Sequence, residues 1–313
     1  MGKKCICYID VLGFSNYVKD NEHCGYALDI LNNINLILGT RISDQRHMKK
    51  NGYDDQLEEL ITRTSVDSFE DYLALSDSVF ITSDSPDIFI KQISTFLSSC
   101  FLLSAEHYRN PDNINKPECI MLNGYDIKTN KIIKKEYKWY PILFRGGLSY
   151  GEVVRSTNYI LYKGQPGRTP NLVGEGVVSA VNLESSGKGP HLFIDDNIFE
   201  CLSDEVRRFI SEKHGKKYIL WPAFHFIWEN GIDIVYQDFW MELEACLNLW
   251  NAYKNMPYFE HYYELVKLMI QSFLKLCEVY FENEYNRIYA KIWHGLKEKG
   301  IEMQDDFILK LVR

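Results

Sequence analysis

The first apolar run, residues 4–12, is short and continuous and ends at Gly13, the pattern of a buried strand. Beyond it Ala27, Leu28, Leu31, Ile34 and Leu38 recur every three or four residues, which predicts one buried helix face. Residues 41–68 are polar and predict a loop-rich connection. The segment FEDYLALSDSVFITSD then predicts two strands around a tight Ser76-Asp77-Ser78 turn. Pro86 opens a predicted helix whose apolar positions run from Ile88 through Phe101 to Ala105. Residues 109–138, with two prolines and a lysine run, read as a surface insertion, a hairpin turning at Asn123-Gly124. A strand is predicted over Tyr140 to Glu152, a Gly/Pro loop over 155–171, a helix over roughly 172–186 ended by Gly187, and a strand over His191–Ile194. From about 236 to about 296, Trp240, Leu243, Leu247, Trp250, Leu265, Leu268, Met269, Phe273 and Leu276 predict a helical tail, two long helices divided near Pro257. This order is α+β, mixed rather than doubly wound. It divides into domain 1–235 and a helical C-terminal extension, 236–313.

Composition narrows the function. The 313 residues are 46% hydrophobic and 25% charged, as in soluble globular chains. Thirty-five basic against 43 acidic residues give a net charge of −8, which argues against broad binding to nucleic-acid phosphates. The N-terminus has no signal-peptide pattern, and no stretch of about 18 uncharged apolar residues predicts a membrane span. Eight dispersed cysteines and eight histidines follow no zinc-ligand spacing, so the expectation is a reduced, cytoplasmic protein. Neither a G-x-G-x-x-G nor a P-loop pattern occurs.

Two acidic positions stand out because each closes an apolar strand: Asp10 in CICYIDVLGFS and Asp77 in LALSDSVFI. A carboxylate there is costly unless it is paired or binds a cation. Adjacent strands could set the two side by side, where they repel unless metal lies between them. Oxygen ligands suit Mg²⁺ or Mn²⁺. Gly13 lets the backbone approach a ligand, and the amides of Leu12, Gly13, Phe14 and Ser15 lead into a helix N-terminus, a cradle for phosphates. Together these suggest a two-metal site holding a polyphosphate. Taken singly, each aspartate is more often a strand-end turn or a helix cap.

The segments YIDVLGF, SDS, Arg145-Gly-Gly-Leu-Ser-Tyr-Gly-Glu152 and Gly174-Glu-Gly-Val-Val-Ser-Ala-Val-Asn-Leu-Glu-Ser185 resemble, in order, the catalytic domain of class III nucleotidyl cyclases over roughly residues 1–235. The resemblance implies a ferredoxin-like core acting as a head-to-tail homodimer with active sites at the interface. It also implies that Asp10, Asp77 and Val11 hold two metal ions, one activating the ribose 3′-hydroxyl for attack on the α-phosphate and the other steadying pyrophosphate. Where purine cyclases carry a base-reading lysine, this chain has Leu73, beside Tyr72; where they carry an aspartate, it has Asn171. The transition-state asparagine and arginine become Val178 and Asn182 by register, and Arg145 is a substitute for binding triphosphate. Glu184 reads as a residue that pairs across the dimer or sits on the helix surface.

These departures and the 109–138 insertion look most like the bacterial pyrimidine cyclases of Pycsar antiphage systems. That resemblance implies conversion of UTP or CTP to a cyclic monophosphate that activates a separate effector. No nucleic-acid and no membrane partner is expected, from the net charge and the lack of a long apolar stretch. Asn171 offers a donor and an acceptor, which fits a pyrimidine edge without separating cytosine from uracil. Two alternatives stay open: a catalytically degenerate nucleotide sensor of the same fold, and a purine cyclase with other base contacts.

Overall fold

The computed structural model describes residues 2–19, 24–48, 62–114, 116–126, 129–162, 165–256 and 259–299. Strand β1 (Gly2–Val11) is followed by α1 (Phe14–Lys19) and α2 (Cys24–Met48). A hairpin of β2 (Asp71–Leu75) and β3 (Ser78–Ser83) leads into α3 (Pro86–Tyr108), then the hairpin β4 (Glu118–Asp126) and β5 (Lys131–Trp139). Next come β6 (Phe144–Tyr162), β7 (Gln165–Val173), α4 (Glu175–Glu184) and β8 (Leu192–Ile194). Short α5 (Asp196–Cys201) and α6 (Asp204–Arg207) precede β9 (Ile210–Lys213) and β10 (Lys216–Ile219). The chain then runs through α7 (Ile232–Tyr253), α8 (Phe259–Tyr280) and α9 (Tyr285–Glu298).

The main sheet has the order β2-β3-β1-β6-β8-β10-β9. Each of its first four strands is antiparallel to its neighbours among them. With α1 and α2 after β1 and α3 after β3, this is the β-α-β-β-α-β plan, so the core is ferredoxin-like α+β by its own connectivity. β8 adds parallel to β6, and the β10–β9 pair extends that side.

The alternation along β1 divides the molecule. Cys5, Cys7, Ile9 and Val11 face a large apolar cluster that also takes in Ile30 of α2, Phe96 of α3, Phe239 of α7, Phe273 of α8 and Ile292 of α9. Phe239 and Phe273 stack with ring centroids 4.0 Å apart, so the C-terminal helices share one core with the sheet. Ile6 and Tyr8 point to the opposite face, where Ile6, Val153 and Ala180 form a small second cluster under α4.

That second face explains the glycines of the Arg-Gly-Gly segment. A Cβ at Gly147 would lie 2.2 Å from the Ala180 carbonyl oxygen and 2.5 Å from the Leu183 Cβ, both on α4. Gly151 faces Gly176 in the same way, at 3.0 Å, and the Ser149 hydroxyl donates to the Gly176 carbonyl at 2.6 Å. These residues let α4 lie directly on β1 and β6.

Four expectations change. Residues 41–48 are helix, because α2 continues to Met48 on polar residues that favour helix as readily as loop. The 155–171 segment is not a loop: β6 runs on to Tyr162 and pairs with β7 from Val154↔Val173 to Tyr162↔Gln165. Pro166 and Pro170 are tolerated because, among the described residues, β7 pairs only with β6. The β4–β5 hairpin turns between Asp126 and Lys131, with Gly124 opposite Ile133 inside the ladder. Among the described residues the C-terminal region holds three helices rather than two, since the chain breaks again at Phe281 before a 3₁₀ turn. Pro257 lies outside the described residues.

Candidate active site

Asp10 is the penultimate residue of β1, opposite Ser78 of β3 on one side and Arg145 of β6 on the other. The two-residue turn Ser76-Asp77 closes the β2–β3 hairpin, with Ser76 at φ 59. The amide of Val11 donates to the Asp77 carbonyl at 3.0 Å, tying the turn to the end of β1. Sheet register therefore delivers Asp77 beside Asp10, as the sequence predicts.

Asp10 is closely surrounded. Ser78 donates to one carboxylate oxygen at 3.0 Å while accepting from the Tyr8 hydroxyl at 3.0 Å. The Arg145 guanidinium stands 3.5 Å from the other oxygen and forms an ion pair with Glu184 at the end of α4. Burial pushes the Asp10 carboxyl above the ordinary aspartate range. The Ser78 hydrogen bond opposes this, Asp77's charge adds to it, and Arg145 opposes it. Glu184 is raised as well, first by burial, against the pull of Arg145 and with a push from Asp10. Two carboxylates thus share one guanidinium while the charge of Asp77 bears on Asp10, and the excess negative charge calls for a further cation.

That demand fits divalent ions in part. Among the described residues no group of three or more His, Cys, Asp or Glu converges as a metal cage. Two carboxylates without a cage suit hard ions that take their remaining ligands from water and phosphate oxygens. The Val11 side chain is buried in the core, so only its backbone carbonyl is left as a donor.

The surrounding predicted residues divide. The Leu12 amide already donates to the Leu143 carbonyl at 2.8 Å, so it is not available to a phosphate as the sequence suggests. Gly13, at φ 78, makes the turn into α1, and Phe14 and Ser15 occupy the first helical turn, where amides lack intrahelical acceptors. The Phe14 side chain is core. Leu73, through its partner Phe80, is on the Asp10 face of the sheet. Tyr72 pairs with Ile81 and packs into the large cluster on the other face, where burial pushes its phenol up to about 12. Its side chain does not reach the Asp10 face.

Asn182 is exposed on α4 with Val178, itself 59% exposed. Asn171 on β7 pairs with Ser156, eleven residues beyond Arg145 along β6. That spacing corresponds to roughly 36 Å of extended strand. Within one chain, Asn171 and Asp10 therefore lie far apart along β6, beside Ser156 and Arg145 respectively.

Two residues at this site differ from or go beyond the sequence reading. Glu184, read as pairing across the dimer or lying on the helix surface, instead forms an ion pair with Arg145 of its own chain, because α4 packs along β6. His261, in the first turn of α8, accepts from the Gly189 amide at 3.3 Å. Burial first, and then the charge of Arg145, push its imidazole below the usual range. The C-terminal helical layer therefore reaches the electrostatic surroundings of Arg145.

No family model and no curated protein sequence matches the chain. Among solved structures, it is similar to adenylate cyclases from Trypanosoma brucei in their monomeric state, at 14% identity over 71% of this chain and 90% of that one, with a TM-score of 0.39. It is similar to a bacterial light-regulated adenylyl cyclase at 14% identity, over 69% and 88% of the two chains, with a TM-score of 0.34. The guanylate cyclase domain of RhGC from Catenaria anguillulae in complex with GTP matches at 14% identity, over 69% and 93%, with a TM-score of 0.37. With overlap this loose, function is read from the site's own residues.

Proposed function

We propose that the chain is a metal-dependent pyrimidine nucleotide cyclase, converting UTP or CTP to the 3′,5′-cyclic monophosphate and pyrophosphate, and that the product is a second messenger in bacterial antiphage defence. The observation that carries this reading is the meeting of Asp10 and Asp77 beside Arg145. Asp10 and Asp77, with the Val11 carbonyl, would hold two Mg²⁺ or Mn²⁺ ions, which supply Lewis acidity at the 3′-hydroxyl and the phosphates.

The chain's own groups do the positioning. Ser78 and Tyr8 fix the Asp10 carboxylate, and Arg145 supplies a fixed positive charge where phosphate charge accumulates. Binding of an anionic triphosphate draws Arg145 from its carboxylate partners. Leu73, apolar and on the Asp10 face, leaves no charged group at the position where purine cyclases carry lysine. Asn171 is the base-reading candidate. Because it lies far along β6 from Asp10, the two would serve one nucleotide only across two copies of the chain, so the active form is a homodimer. The effector is a separate protein activated by the cyclic product.

A second reading, a degenerate nucleotide sensor, is favoured by the apolar exposed Val178 at a transition-state position. Incubation with each of the four ribonucleoside triphosphates and Mn²⁺, with products resolved by mass, separates the readings. One cyclic pyrimidine monophosphate supports the enzyme, a cyclic purine product points to the purine alternative, and nucleotide binding without product supports the sensor.

A further inference from the structure

The segment joining α4 to β8 is held from the C-terminal helices. Lys188 pairs with Glu260 of α8 at 2.8 Å, and the Gly189 amide donates to His261 Nδ1 at 3.3 Å. His191, which is buried, pairs with Glu264 Oε2 at 3.1 Å, and the Trp221 indole donates to the Pro190 carbonyl at 2.8 Å. Gly189 has φ 90, and a Cβ there would lie 2.4 Å from the Glu264 Cβ, so helix and segment touch. Glu260, its neighbour His261, and Glu264 one turn on therefore grip a single stretch, 188–191.

Both ends of that stretch lead to Arg145. Upstream it follows Glu184, the carboxylate that pairs with Arg145. Downstream the His191 carbonyl accepts from the Gly146 amide at 3.0 Å, which fixes the backbone immediately after Arg145. A shift of residues 188–191 would move the arginine's strand and its ion-pair partner together. The grip is not needed merely to keep α8 on the sheet. Further along α8, Phe273 stacks on Phe239, and Gln271 accepts from Tyr218 and donates to Ser211, each at 2.7 Å. His261 also has the protonation state that the contact requires. Burial first, and then the charge of Arg145, hold its imidazole below the usual range, so near neutral pH the ring is uncharged and Nδ1 can accept.

We propose that His261, with Glu260 and Glu264, positions Arg145: α8 holds residues 188–191, and these hold Glu184 and Gly146 around the arginine. His261 is a positioning residue and touches no substrate itself. Through it the helical extension sets the site's affinity for a triphosphate. That consequence rests on the cyclase reading, whereas the coupling to Arg145 does not.

Heteronuclear NMR of the full chain without nucleotide tests the coupling. The readout is water exchange of the Arg145 Nε–H, its resonance assigned by its loss in Arg145→Lys. His261→Ala should speed this exchange about fivefold, the size of one lost hydrogen bond. His261→Asn should restore the wild-type rate, because the side-chain oxygen accepts from Gly189 in place of Nδ1. Gln271→Ala is the control for general loosening of α8, and should melt lower while leaving Arg145 exchange unchanged. Unchanged exchange in His261→Ala, no rescue by His261→Asn, or equal acceleration in Gln271→Ala would overturn the proposal. Lys188→Ala breaks only an exposed pair and should speed exchange in the same direction; if His261→Ala does not fold, an unchanged rate in Lys188→Ala overturns the proposal instead. In the cyclase assay, the KM for pyrimidine triphosphate should rise in His261→Ala more than kcat falls, and an unchanged KM would overturn the link to affinity. Absence of cyclic product from the wild type would overturn the cyclase reading, and the exchange rates would still decide the coupling.

Discussion

Asp10 and Glu184 lie on either side of a single guanidinium. Arg145 stands 3.5 Å from the Asp10 carboxylate and pairs with Glu184 at the last turn of α4. Both carboxyls are raised in spite of this shared cation, because burial is the leading cause at each. The site therefore concentrates negative charge at some cost and holds it with one arginine.

Removal of Arg145 should move the acid limb of activity. Arg145 pulls the Asp10 carboxyl down, so without it that carboxyl titrates at still higher pH. In the proposed enzyme only the ionised form serves, so Arg145→Ala should shift the acid limb of the pH–rate profile upward and lower the maximum rate. An unmoved limb would separate Asp10 from the rate-determining ionisation.

Asp10→Asn should cost activity but not stability. A carboxyl raised on folding contributes stability below its unfolded pKa, and that contribution is lost as pH rises through the folded value. Near neutral pH the ionised Asp10 is therefore a burden on the fold. Thermal melting should show an equal or higher midpoint for Asp10→Asn, while turnover falls by at least about 10²–10³-fold.

Gly147→Ala tests whether α4 must touch the sheet. The new methyl would meet the Ala180 carbonyl at 2.2 Å, so the helix must shift and carry Glu184 away from Arg145. Overpacking of this kind costs about 1–3 kcal/mol. Gly2→Ala, with nothing within 4 Å, is the neutral control. Chemical denaturation of the two variants makes the comparison.

Glu264 of α8 links the C-terminal helices to the sheet. Burial raises its carboxyl, but hydrogen bonds from His191 and Lys213, with the charges of Lys213 and Lys267, bring it down to about 2. A depressed carboxyl contributes stability above its unfolded pKa, and this is lost as pH falls through the folded value. Urea midpoints should therefore drop between the ordinary glutamate value of 4.5 and about 2 in the wild type. Glu264→Gln should remove about 2–3 kcal/mol at neutral pH and flatten that acid dependence.

The two aspartates and their strands were legible in the sequence because a carboxylate closing an apolar run is a local signal. The ferredoxin-like order was reachable through the resemblance and follows independently from strand register. Other features depended on non-local packing. Pro166 and Pro170 look like loop residues until β7 is seen as a strand with a single neighbour among the described residues. Tyr72 seemed to belong to the site by proximity to Asp77, but strand alternation turns it to the other face. Glu184 gains its partner only because Gly147 and Gly151 bring α4 onto the sheet. The charge of Arg145 is felt at His261, on a helix more than a hundred residues later in the chain, and no local pattern announces that.

The most direct measurement compares wild type with Asp10→Ala on UTP and CTP in the presence of Mn²⁺, quantifying cyclic nucleotide and pyrophosphate together. The expected result is a cyclic pyrimidine monophosphate and pyrophosphate in equal amounts from the wild type, and neither from the variant. Linear mono- or diphosphate products from the wild type, or an undiminished rate in Asp10→Ala, would contradict the assignment of this site as a metal-dependent cyclase.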